Sequence, residues 1–200
     1  MWAFFKKIEY MINSKNLPNA LSLFRLLASI LFPALLVLAV PFDLQWLNYS
    51  FAILFILIAL SDFFDGFFAR RFNVESYIGK ALDHIADKFL CVSIFLALAC
   101  LHKILFFTAL IFILREIFIL SLRNIALVKG FYVHVSMWGK CKTAAQYCLI
   151  PVAIVNRHKD FNWENNISVL QICLTLIAIF LSLYSSYLYF IKFKEKLLGD

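Results

Sequence analysis

The chain predicts an all-α integral membrane fold: six transmembrane helices preceded by a short interfacial amphipathic helix. Three observations predict it. Of 200 residues, 64% are hydrophobic and 16% charged, too apolar a balance for a soluble domain. Apolar stretches recur at about 19–40, 49–71, 76–100, 104–127, 140–156 and 167–190, each near the length that crosses a hydrocarbon core. The basic residues between them alternate in density from one connection to the next.

Taken in order, residues 2–12 mix aromatics with lysines, as an interfacial helix does. The six spans then place both termini on one side. That side collects Lys6, Lys7, Lys15, Arg70, Arg71, Lys80, Arg123, Lys129, Lys140, Lys142, Lys192, Lys194 and Lys196. The other side holds Lys103, Arg157 and Lys159, while Arg25, Lys88 and Arg115 fall inside helices. The denser side is cytoplasmic by the positive-inside rule. Few glycines and prolines, no repeat and no low-complexity tail give one domain over 1–200, with 1–15 as a juxtamembrane helix and 16–191 as the six-helix core. No small-residue cleavage site follows a short apolar core, so no cleaved signal peptide is expected.

The formal charge of +7 fits cytoplasmic loops and anionic lipid, and no nucleic-acid-binding pattern accompanies it. Five cysteines, at 91, 100, 141, 148 and 173, form no C-x-x-C pair, which leaves them as apolar filler.

The chemistry concentrates between Asp62 and Asp87. Four aspartates lie within spans, where an ionised carboxylate costs at least ~2.5–3.5 kcal/mol. Asp62, Asp65 and Ala69 share one helix face, and Gly79, Asp83 and Asp87 share another. Two such helices side by side bring four carboxylates together, and a pair of divalent cations is the simplest compensation. Oxygen ligands suit Mg²⁺ or Mn²⁺. Gly66, Ala69 and Gly79 leave room for close approach. An ion-pair cluster, for instance Asp65 with Arg70 and Arg71, is the structural alternative.

The pattern D-x2-D-G-x2-A-R-x8-G-x3-D-x3-D resembles that of the CDP-alcohol phosphatidyltransferases, membrane enzymes of phospholipid synthesis. Asp62, Asp65, Gly66, Ala69, Arg70, Gly79, Asp83 and Asp87 fill every defined position. The resemblance implies that the four aspartates hold two metal ions, that Asp87 is also the base for the acceptor hydroxyl, and that Gly66, Ala69, Arg70 and Gly79 meet the CDP moiety. It also implies a homodimer in a bacterial inner membrane, with the active site cytoplasmic.

Further segments are similar to the bacterial phosphatidylglycerophosphate synthases: Asn16 to Arg25, Leu114 to Arg123, and Ser136 to Gln146. The last span matches in hydropathy alone. By this resemblance the substrates are CDP-diacylglycerol and sn-glycerol 3-phosphate. A dianionic acceptor phosphate needs cations, and Arg115, Lys140, Lys142 and Arg123 are the candidates. For Arg115 a structural pair with a glutamate is the alternative, and for the lysines it is loop topology. Asn19, after Pro18, serves equally as a helix cap or as a CDP contact. One position departs from the synthases: His84 stands where they usually carry proline.

Two other readings remain. Phosphatidylglycerol as acceptor makes the protein a cardiolipin synthase of the same family. An ion-coupled transporter uses buried carboxylates spread through the membrane depth, whereas these cluster at one face.

Overall fold

The computed structural model describes residues 17–42, 44–72, 77–131, 137–156 and 166–198; side chains at 17–25, 41, 61–72, 77–87, 166–168 and 198 are outside that description. The interfacial helix expected over 2–12 also lies outside it. Among the described residues there are six α-helices: α1 (Leu17–Ala39), closed by a 3-10 turn at Val40–Phe42, α2 (Gln45–Phe72), α3 (Tyr77–Cys100), α4 (Phe106–Val128), α5 (Met137–Val155) and α6 (Asn166–Leu198). No strand occurs among the described residues. The bounds fall close to the apolar stretches. The largest difference is at α6, which continues to Leu198 because Lys192, Lys194, Glu195 and Lys196 are good helix formers once the apolar run has ended.

α1 runs along α3, α5 along α6 and α2 on α5, while α4 touches both α3 and α6. The main core draws Phe32 and Leu36 from α1, Phe55 from α2, Ile94, Phe95 and Leu98 from α3, Phe112 from α4, and Leu149, Ile150 and Ile154 from α5. Its aromatics interlock: Phe55 meets Tyr147 edge-on at 5.7 Å, and Phe95 lies 4.7 Å from Phe112. Ser93 on α3 donates its hydroxyl to the Ser29 carbonyl on α1 at 2.7 Å, which small side chains permit where two helices run close. A second cluster, Ile119, Leu122, Ala126, Tyr189 and Phe193, joins α4 to α6.

Two helix ends close in the same way with different residues. After α4, Gly130 takes φ 80°, its N–H reaches the Leu127 carbonyl at 3.1 Å, and Phe131 N–H reaches Ala126 at 3.0 Å. This is the Schellman closure, and Phe131 then stacks near Phe193 at 5.6 Å. After α3, His102 takes φ 56°, bonding Ala99, and Lys103 N–H bonds the Leu98 carbonyl at 2.9 Å. A histidine in that left-handed conformation is strained where glycine is not.

The second closure delivers Lys103 into the protein. Its ammonium donates to the carbonyls of Ile154 and Asn156 at the C-terminal end of α5. Gln171 on α6 donates to the Lys103 carbonyl at 2.5 Å and accepts from Asn156 at 2.5 Å. Lys103, Asn156 and Gln171 are all buried, so the three-way ring ties the α3–α4 turn to α5 and α6. A lysine at a helix C-terminus also meets the negative end of the helix dipole.

The outer surface is apolar. Leu31 and Leu38 on α1, Ile53 and Leu57 on α2, Leu114 and Ile117 on α4, and Leu176, Phe180 and Leu183 on α6 are exposed. Soluble proteins rarely expose apolar area on this scale. Among the described residues one helix, Val169–Leu197, 29 residues long, is long and apolar enough to cross a membrane by itself, with mean hydropathy 2.0 over an 18-residue stretch. The cysteines are free, as expected of filler; Cys91 is buried and the other four are exposed.

Candidate active site

The backbone places the aspartate motif on two successive helices. Asp62, Asp65, Gly66, Ala69 and Arg70 fall in the last three turns of α2, and Gly79, Asp83 and Asp87 in the first three turns of α3. Asn19 is the third residue of α1. The side chains of these nine residues lie outside the described set, as does that of His84. Among the described residues no three His, Cys, Asp or Glu side chains group as a metal site.

The described part of the site begins one residue later, at Lys88. Its ammonium lies 2.8 Å from Glu116 Oε2, an ion-pair contact rather than an aligned hydrogen bond. Glu116 is 5% exposed, in the middle of α4, and it is a hub. Its Oε1 accepts from Lys142 on α5 and, at 3.2 Å, from Arg115 Nη1. Arg115 is anchored on its other edge by α6: Nη2 donates to Ser185 at 2.9 Å and Nε to Ser186 at 3.1 Å. Both serines lie next to the Ser182 carbonyl, which accepts from each hydroxyl. One polar chain therefore crosses four helices, from α3 through α4 to α5 and α6.

Burial follows from helix geometry. Lys142 is 2% exposed while Lys140, two residues earlier, faces outward, because two residues on a helix are about 200° apart. Arg123, eight residues after Arg115, is half-buried about 12 Å further along α4. The structure thus joins Arg115 and Lys142 through Glu116, turns Lys140 outward, and leaves Arg123 close enough for its charge to act on Arg115. One turn beyond Lys142 on the same face, Gln146 is 1% exposed, and neither amide atom has a partner among the described residues. A buried amide that lacks both donor and acceptor partners favours an occupant that offers both, such as a hydroxyl or a water.

Among the described residues three cations, Lys88, Arg115 and Lys142, surround one carboxylate. Cations concentrated this way in a low-dielectric site favour an anion. Sequence reasoning had Arg115 and Lys142 as candidates and missed Glu116, Lys88, Ser185 and Ser186 as parts of one network. A charged residue within a span signals a partner by its cost alone, so Lys88 and Glu116 carried a readable signal. The two serines did not.

The family model for CDP-alcohol phosphatidyltransferase matches residues 15–184. This chain belongs to that family. Named relatives agree. The CDP-diacylglycerol–glycerol-3-phosphate 3-phosphatidyltransferase of Escherichia coli (strain K12) is 35% identical over 192 residues, covering 92% of this chain and 98% of that protein. The enzyme of the same name from Wigglesworthia glossinidia brevipalpis is 40% identical over 141 residues, 68% of this chain and 74% of its own. That from Cereibacter sphaeroides is 34% identical over 140 residues, 68% of this chain and 62% of its own. For a CDP-alcohol phosphatidyltransferase, the polar chain ending at Lys88 adjoins the helix that bears half the aspartate motif.

Proposed function

We propose that this chain transfers the phosphatidyl group of CDP-diacylglycerol to sn-glycerol 3-phosphate, giving phosphatidylglycerophosphate and CMP. The likeness to relatives of that name along nearly the whole length carries the reading. The cluster of Lys88, Arg115 and the buried Lys142 supports an acceptor that brings its own phosphate.

All six helices cross a bacterial inner membrane, with the start of α1, the end of α6 and the aspartate motif on the cytoplasmic side. The exposed apolar residues on α1, α2, α4 and α6 support this, as does the excess of Lys and Arg on that side. Nucleotide and acceptor reach the site from water while acyl chains enter from the bilayer. The chain is a single domain, and the enzyme works as a homodimer.

Asp62, Asp65, Asp83 and Asp87 would hold two divalent ions, Mg²⁺ or Mn²⁺; an all-carboxylate donor set fits hard cations. When bound, the ions neutralise the pyrophosphate charge. Gly66, Ala69 and Gly79 admit the CDP moiety, with Asn19 beside it, and Arg70 grips a phosphate through paired donors. Asp87 takes the proton from the acceptor hydroxyl. The new oxygen–phosphorus bond then forms on the lipid phosphate as its bond to CMP breaks. Arg115 and Lys142 hold the acceptor phosphate, with Arg123 nearer the cytoplasm; Lys140, turned outward, is not of that set.

The deciding experiment offers purified protein labelled CDP-diacylglycerol and a panel of acceptors, reading lipid product and CMP. Glycerol 3-phosphate is the expected acceptor. Turnover with phosphatidylglycerol in its place makes this a cardiolipin synthase. Transfer is expected to stop when a chelator removes divalent metal, and full turnover in metal-free buffer would overturn the metal assignment.

A further inference from the structure

We propose that Glu116 is a positioning residue that preassembles the acceptor-phosphate site. The inference rests on the reaction proposed above and adds the element that builds the site. Without ligand, three neighbouring cations, Lys142 buried and Lys88 and Arg115 partly so, repel one another, and each would swing toward water or another partner. Glu116 prevents this. Its Oε1 holds Arg115 and Lys142 together, and its Oε2 holds Lys88 at 2.8 Å. Ser185 and Ser186 fix the far edge of the Arg115 guanidinium, so that its plane is set before any ligand arrives.

Donors remain to bind the acceptor phosphate. Arg115 uses three of its five N–H groups on Ser185, Ser186 and Glu116, leaving two. Lys88 gives the carboxylate a second task. It follows Asp87 directly on α3, so the Lys88–Glu116 contact fixes the acceptor cations relative to the aspartate helix. Phosphate and attacking hydroxyl belong to one small molecule, so this register decides whether the hydroxyl arrives at Asp87.

The test is Glu116→Gln in detergent-purified full chain, with glycerol 3-phosphate and CDP-diacylglycerol varied separately. The acceptor KM is expected to rise roughly tenfold or more, with the CDP-diacylglycerol KM unchanged. Lys88→Gln is expected to lower kcat more than it raises the acceptor KM, because it frees the register and leaves Arg115 and Lys142 paired. A merely structural carboxylate would lower thermal stability and touch both substrates alike. An acceptor KM that falls in Glu116→Gln would mean that the carboxylate only competes with phosphate, and either result overturns the proposal. Where Glu116→Gln does not accumulate folded, Glu116→Asp decides: it keeps the charge but draws it back by one methylene, and an unchanged acceptor KM refutes positioning. If wild type fails to use glycerol 3-phosphate at all, the proposed reaction fails, and that outcome is separate from every variant result.

Discussion

Among the described residues two lysines are buried, and their surroundings differ. Lys103, beyond the end of α3, is held by backbone carbonyls of α5 in a ring that Asn156 and Gln171 close. Lys142, near the start of α5, shares a carboxylate with Arg115 and Lys88. Along α3, Lys88 lies about 18 Å by helical rise from Cys100, and Lys103 is beyond that end. The first network matches donors to acceptors within the fold and ties three segments. The second gathers three cations on one carboxylate among the described residues. A cation network that closes on the chain's own carbonyls holds the fold together. The one gathered at the edge of the aspartate motif is the one proposed to hold a ligand.

The comparison is broken most severely on the ligand side. Asp87→Asn, one residue before Lys88, is expected to abolish CMP release while the protein still inserts and purifies; near wild-type turnover would show that another group takes the proton. Arg115→Ala comes next. Losing a charge-assisted bond to phosphate is expected to cost about 1.5–3 kcal/mol, seen as a rise in acceptor KM of roughly ten- to a hundredfold. A loss shared equally between the two substrates would assign Arg115 to the fold instead.

On the other side the readout reverses. Gln171→Leu strands the Lys103 carbonyl and the Asn156 amide, so thermal unfolding in detergent is expected to show about 1–3 kcal/mol of lost stability with both KM values unchanged. A changed acceptor KM would mean that the two networks are coupled through the bundle. The smallest effects sharpen the view of the two helix closures. Gly130→Ala is expected to destabilise by about 1 kcal/mol. No atom lies within 4 Å of the added Cβ, so the backbone conformation alone sets that cost. His102→Gly is expected to stabilise by a similar amount, about 1 kcal/mol, by relieving its left-handed φ. Equal and opposite shifts in unfolding temperature would support both assignments.

Hydropathy sufficed for the helices. Long apolar runs need no partner to be helical, because a backbone deprived of water must bond to itself. The aspartate motif, its spacing and the family it resembles were equally legible, since fixed offsets on a helix put residues on one face whatever surrounds them. Arg115 and Lys142 stood out as cations in apolar sequence. Their pairing through Glu116 was not readable, because nothing local selects which of three helices meets Glu116. Nor was the part played by Ser185 and Ser186, two small polar residues in a span whose sequence carried only hydropathy. Lys103 shows the same limit from the other direction. By sequence it is a loop lysine on the far side, and only the turn at His102 directs it inward to the end of α5. Periodicity and cost are properties of a segment, and the sequence states them. Which segments face each other is settled by packing of the whole bundle, and that packing decides which buried charges close on the protein and which are left for a substrate.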